Sequence, residues 1–204
     1  MCIRDSDNPL LFDGEWIEAG NFHGAPVALA MDHLKIALSQ VATQSERRTF
    51  RLTCGQLSSG LPSFLVEGTG LNSGFMLAQY TAASLASECK GLAFPASVDS
   101  IPTVQHLEDH VSMSPIAARM ALQVIECLAD IVGIEVLLAA QALDLRRQGH
   151  GGKHATLAPR IETLRALVRQ VVPFWQDDGL MHPALAATGA LVRGGALSGA
   201  PSPW

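Results

Sequence analysis

Between Pro95 and Met113 the chain reads PASVDSIPTVQHLEDHVSM, and five residues in that run could do chemistry: Asp99, His106, Glu108, Asp109 and His110. Carboxylates and imidazoles this close together can orient a cationic substrate, share a proton with it, or bind a metal. A connection of this length without periodicity of its own is uncommon in a compact domain and is usually functional or disordered. Pro95 and Pro102 fix backbone angles on the approach to the acidic cluster. The expectation is an ordered connector that presents Glu108 and its neighbours.

The metal reading is the weaker one. On a helix, His106 and His110 would share one face, with Glu108 or Asp109 assisting. Yet Pro102 and the helix start at Ser114 place this stretch largely outside a long helix. The sequence names no third ligand. His150 and His154 repeat the spacing, but Gly151 and Gly152 between them read as a flexible loop. No metal is expected.

The elements that must position the connector are helical. Pro26 suits a first helical turn, where its missing N–H costs nothing. From there Val27, Met31, Leu34, Leu38 and Val41 recur in steps of four and three, which predicts one apolar face of a helix running to about Leu52. Gly55 to Gly74 reads as a loop held by Leu61, Phe64 and Leu65. A second helix is predicted from about Gly74 to Lys90, with Tyr80 in its core. Ser114 can cap a third helix and Pro115 can open it; only Gly133 interrupts before Arg146. At ~1.5 Å per residue that is a rod of about 50 Å.

Along this rod Ile116, Met120, Val124, Ile125, Leu128, Ile131, Val132, Ile134, Leu137, Leu138 and Leu145 cover more than one face. A helix apolar nearly all round lies inside a large assembly or a membrane. Arg119, Glu126, Asp130 and Glu135 are too frequent for a bilayer span, which leaves the core of an oligomer. Ile161, Leu164, Leu167, Val168 and Val171 mark a further amphipathic helix. A short one follows Pro183, and the tail from Gly194 reads as loosely ordered. No alternating strand pattern of useful length is visible, so the fold class is all-α, a long-helix bundle.

Composition narrows the rest. The chain has 204 residues, 48% hydrophobic and 16% charged, a low charge for a surface left entirely to water. A net charge of -5 and the lack of a clustered Lys/Arg stripe argue against nucleic-acid binding. Four scattered cysteines with no CxxC suit a reduced, cytoplasmic protein. Residues 1–6, MCIRDS, do not form a signal peptide and read as a non-native lead, which would make the chain a fragment. Residues 7–147 then form a central helical part and 148–204 a C-terminal tail region.

Ordered blocks along the chain carry a family resemblance. They are Gly20-Asn21-Phe22-His23-Gly24, SERR at Ser45 to Arg48, LPSFLVE at Leu61 to Glu67, GLNSGFM at Gly70 to Met76, QYTAA at Gln79 to Ala83, EDHVSM at Glu108 to Met113 and AAQALDLR at Ala139 to Arg146. From about Asn8 to Arg146 the chain resembles the C-terminal part of the histidine ammonia-lyases, and more broadly the aromatic amino acid ammonia-lyases. The resemblance implies a fumarase/aspartase-like helical fold and a homotetramer whose sites draw on several subunits. It implies a carbon–nitrogen lyase acting on an aromatic amino acid, with a methylidene-imidazolone (MIO) electrophile formed from an Ala-Ser-Gly triplet. No Ser-Gly pair here (Ser59-Gly60, Ser73-Gly74, Ser198-Gly199) follows Ala, so this chain forms no MIO itself.

Two positions carry over from the family. Phe22, with Asn21 beside it, matches the phenylalanine that packs by the electrophile and the substrate ring. Glu108 matches the acid that faces the substrate amino group or side chain, where partial burial would tune it. His110 and Asp109 stand equally as scaffold or as substrate contacts. Without the resemblance, Phe22 would read as core and Glu108 as a helix-end or surface carboxylate. Val104-Gln105-His106-Leu107 depart from the histidine-type pattern, as do Phe94 and Cys89. Histidine is the first expected substrate, then tyrosine or phenylalanine, with a related aminomutase using the same site. A non-catalytic helical oligomerisation module is the competing class.

Overall fold

The computed structural model describes residues 8–20, 22–152 and 156–198. Among these residues five α-helices form a bundle: α1 (Ala25–Thr53), α2 (Met76–Leu92), α3 (Ser114–Arg147), α4 (Pro159–Val171) and α5 (His182–Arg193). The mostly helical fold is as expected, and α3 is its axis, with α1, α2 and α5 packed on it. The second half of α3 buries Ile134, Leu137, Leu138 and Leu145 against Phe75, Leu61 and Leu65 from the loop before α2 and Val168 from α4, while Ile131 and Val124 pack with Ala42 of α1 and Cys89 of α2.

One small sheet escapes the sequence reading. Strands β1 (Leu10–Phe12) and β2 (Glu15–Ile17) pair antiparallel with Leu10 opposite Ile17. Asp13 and Gly14 turn between them at φ 49° and 84°, the left-handed pair that an Asp-Gly hairpin turn needs. Three-residue strands are too short to show alternation, so Asp-Gly was the readable signal.

The face of α1 is largely reversed from expectation, since of the predicted stripe only Leu38 packs against the core and Met31 is half-buried. Val27, Leu34 and Val41 are exposed, while Ala28, Asp32, Lys35, Ser39, Ala42, Ser45, Glu46 and Thr49 turn inward. Periodicity found a stripe correctly and could not say which side of the helix meets the rest of the chain. Tyr80 is likewise not core: it is 61% exposed on α2. On α4 only Val168 is buried, and Ile161 and Val171 stay exposed.

Gly133 is more than tolerated in α3. A Cβ there would lie 2.7 Å from the Gly189 nitrogen and 2.9 Å from its Cα, so α3 and α5 cross backbone to backbone at this point. At the head of α3, Ser114 is already helical and the preceding Met113 is left-handed at φ 55°. The N-cap is therefore Met113 and not Ser114, and no side chain caps the helix, although Ser112 Oγ accepts the Ser114 N–H at 3.4 Å.

Candidate functional site

The turn before α1 closes when the His23 N–H donates to Gly20 O at 3.1 Å. Phe22 on that turn is 47% exposed, which removes the plain core reading for it. Its ring meets His23 edge-on at 6.4 Å, and His23 in turn stacks on His110 at 5.3 Å with the rings 3° apart. A hydrogen bond of 2.9 Å joins His23 Nε2 to the His110 carbonyl. Gly24 permits this approach, because a Cβ there would collide with Ser112 Oγ and Ser114 Oγ. The structure thus brings the Phe22 turn against the end of the connector, two residues from Glu108. Asn21 lies outside the described residues, as do Cys2 and His154.

The connector is held at its start as well. Lys35, fully buried, donates to Phe94 O at 2.8 Å and pairs with Asp32 Oδ1 at 2.8 Å. Asp32 Oδ2 accepts the Ser97 N–H at 2.7 Å. Burial alone would raise the Asp32 carboxyl, but the hydrogen bonds from Lys35 and Ser97 outweigh it and hold it down at about 2. Sequence reading missed both residues. An Asp and a Lys three apart on a helix were their only trace, and such pairs are common on surfaces.

Between these two holds the connector folds on itself. Thr103 and Glu108 exchange backbone hydrogen bonds of 2.9 and 3.3 Å, and the Val111 N–H donates to Ser100 Oγ at 2.9 Å. The reversal is made by Val104, Gln105 and His106, all left-handed at φ 50°, 55° and 70°. For β-branched Val104 that conformation is strained, and strain of this kind collects at functional sites. It also removes the helical geometry that a His106–His110 metal pair needs. Among the described residues no three His, Cys, Asp or Glu gather where they could hold a metal ion. His150 instead meets Glu67 at 2.9 Å.

Residues 98–110 are exposed, and among the described residues no partner meets the Glu108 carboxylate. Its backbone is fixed while its side chain is unengaged. Asp109 and the His110 ring share that exposed edge. Glu108 is thus exposed, and any burial of its carboxylate must come from atoms outside this chain's described part.

The other family-like blocks act as scaffold. Ser45 donates to Glu135 Oε2 at 2.6 Å, and Arg48 grips the same carboxylate with bonds of 2.5 and 2.7 Å. Gln79 donates to Glu46 at 2.9 Å, tying α2 to α1. Gln141, completely buried, donates to Leu65 O and Trp175 O at 3.2 and 2.7 Å. Asp144 receives Arg165 and Arg169, each at 2.6 Å. Cys54, Cys89 and Cys127 are free thiols, and burial pushes Cys89 up to about 12, which disqualifies it as a nucleophile.

Residues 4–170 match the family model of the aromatic amino acid lyases. The chain belongs to that family. As a lyase-family chain it is 46% identical over 195 residues to the histidine ammonia-lyase of Desulfotalea psychrophila, covering 95% of this chain and 37% of that protein. It is 50% identical over 194 residues to the histidine ammonia-lyase of Caldanaerobacter subterraneus subsp. tengcongensis, covering 94% and 37%. The solved histidine ammonia-lyase of Trypanosoma cruzi superposes with a TM-score of 0.86 at 43% identity, over 94% of this chain and 37% of that one. Tyrosine aminomutase of Streptomyces globisporus gives 0.87 at 39%, over 94% and 36%. The family chain described here therefore spans about 37% of the length of the relatives it matches. Among the described residues no helix is long and apolar enough to cross a membrane.

Proposed function

We propose that this chain supplies one wall of the active site of a cytoplasmic ammonia-lyase that eliminates ammonia from an aromatic L-amino acid, L-histidine first, giving urocanate. The observation that carries the reading is the juxtaposition of the Phe22 turn and the Glu108 connector, 87 residues apart in sequence yet joined at His23 and His110. Identity of 46–50% to histidine ammonia-lyases supports the substrate. The likeness to tyrosine aminomutase supports tyrosine, and an aminomutase outcome, as the second reading.

Elimination is hard because the β-proton is barely acidic and the amine is a poor leaving group. The MIO electrophile, when present, supplies activation of the amino group. The residues here fit a place beside such a group: an exposed ring at Phe22 to pack on it, and an exposed, unpaired carboxylate at Glu108, two residues from the His23–His110 contact. The triplet that forms MIO is contributed by another stretch of polypeptide. Glu108 orients the cationic amino group or the substrate imidazole by charge and hydrogen bonding, and closure by further chain raises the strength of that contact. The outward stripe of α1 (Val27, Leu34, Val41), with Ile116, Leu122 and Ile125 on α3, supports assembly into a homotetramer.

In the enzyme containing this chain, Glu108→Gln is expected to lower turnover by about 10²–10⁴-fold while leaving assembly intact. Growth of product absorbance at the parent's rate would remove Glu108 from the site. Parallel assays on histidine, tyrosine and phenylalanine choose between the two substrate readings.

A further inference from the structure

We propose that His23 is a positioning residue for the Glu108 connector, an inference that rests on the functional reading above for its catalytic consequence. The argument starts from the two ring nitrogens. The Ala25 N–H, one of the free donors at the head of α1, points at His23 Nδ1 from 3.2 Å. A nitrogen that accepts cannot carry the hydrogen, so the neutral ring bears it on Nε2. That N–H then donates to the His110 carbonyl at 2.9 Å. One tautomer satisfies both contacts, and α1 selects it.

The ring is therefore locked at both edges and stacked on one face. It bridges the helix that carries the Phe22 turn and the end of the connector that carries Glu108. The opposite end of the connector is already tied to α1 by Lys35 and Asp32. Thr103 and Glu108 pair across its middle, and His23 holds it four residues before α3 begins. Gly24 adds an independent sign that this contact is built in, since any larger residue beside His23 would push Ser112 and Ser114 away. His23 touches neither proposed site side chain's reactive atoms; it acts through backbone placement.

The test uses His23→Ala and His23→Gln. Glutamine has an N–H donor that can reach the His110 carbonyl, whereas alanine has none. Amide hydrogen exchange across residues 98–113 is expected to rise in His23→Ala and to return most of the way in His23→Gln. In the enzyme containing this chain, His23→Ala is expected to lower kcat about tenfold, the worth of one hydrogen bond, with a smaller change in KM. His23→Gln restores most of that loss, and His23→Ala adds nothing to Glu108→Gln. Unchanged exchange in His23→Ala, or a glutamine variant no better than alanine, overturns the proposal; so does a full additive loss in the double variant. A parent-like rate for Glu108→Gln sinks the role of Glu108 instead, and the exchange measurement still decides whether His23 holds the connector.

Discussion

Helices α1 and α3 obey opposite rules. In the second half of α3 apolar side chains are buried on nearly every side, from Ile131 to Leu145. In α1 the inward face carries Asp32, Lys35, Ser39, Ser45, Glu46 and Thr49, and the apolar stripe looks outward. The difference teaches that an apolar stripe need not face the chain's own core, and that contacts inside one chain can be polar. A polar inner face is stable when its groups are partnered. Lys35 with Asp32, Ser45 and Arg48 with Glu135, and Glu46 with Gln79 provide those partners, while Thr49 Oγ1 finds none among the described residues.

If that contrast is right, removing one partner from the α1 interior is the most damaging change. Asp32→Ala leaves the buried Lys35 ammonium without its counter-charge and is expected to cost about 3–5 kcal/mol in urea titration at low protein concentration. Replacing both with Leu and Met is expected to recover most of it, since an apolar pair needs no desolvation. A double variant as unstable as the single one would break the comparison. In α3 the sensitive feature is closeness. Gly133→Ala drives a methyl into Gly189 and is expected to cost about 1–3 kcal/mol.

A smaller effect is a pH dependence. Asp32 sits at about 2 in the folded chain against 3.8 when free, so the unfolded state takes up its proton first as pH falls. The contribution is whole above about pH 4 and is lost as pH drops through 2; acid titration of the Asp32→Ala variant should lack that part of the curve. Smallest of all, Val41→Ser on the outward stripe is expected to shift stability by within about 0.5 kcal/mol. The same change weakens self-association, read by sedimentation. A large loss of stability with no change in association would place Val41 in the chain's own core.

The site shows the same division. Glu108 and its connector were legible because an aperiodic polar run with two prolines is conspicuous between helices. Phe22 was legible only through its block, since a lone phenylalanine carries no direction. His23 was marked only as a member of the same block, and Asp32 and Lys35 only by their spacing; their importance lies in what reaches them from 59 to 87 residues away. The scaffold roles of Glu135, Gln141 and Asp144 were hidden for the same reason.

Local chemistry settled the helices, their approximate ends and the Asp-Gly turn, because propensity, prolines and spacing act within a few residues. Which face of α1 turns inward, why α3 needs Gly133, and how the head of α1 meets the Glu108 connector were settled only when distant segments packed. Those outcomes depend on partners that sequence order does not reveal: a carbonyl for an ammonium, a backbone against a backbone, one imidazole on another.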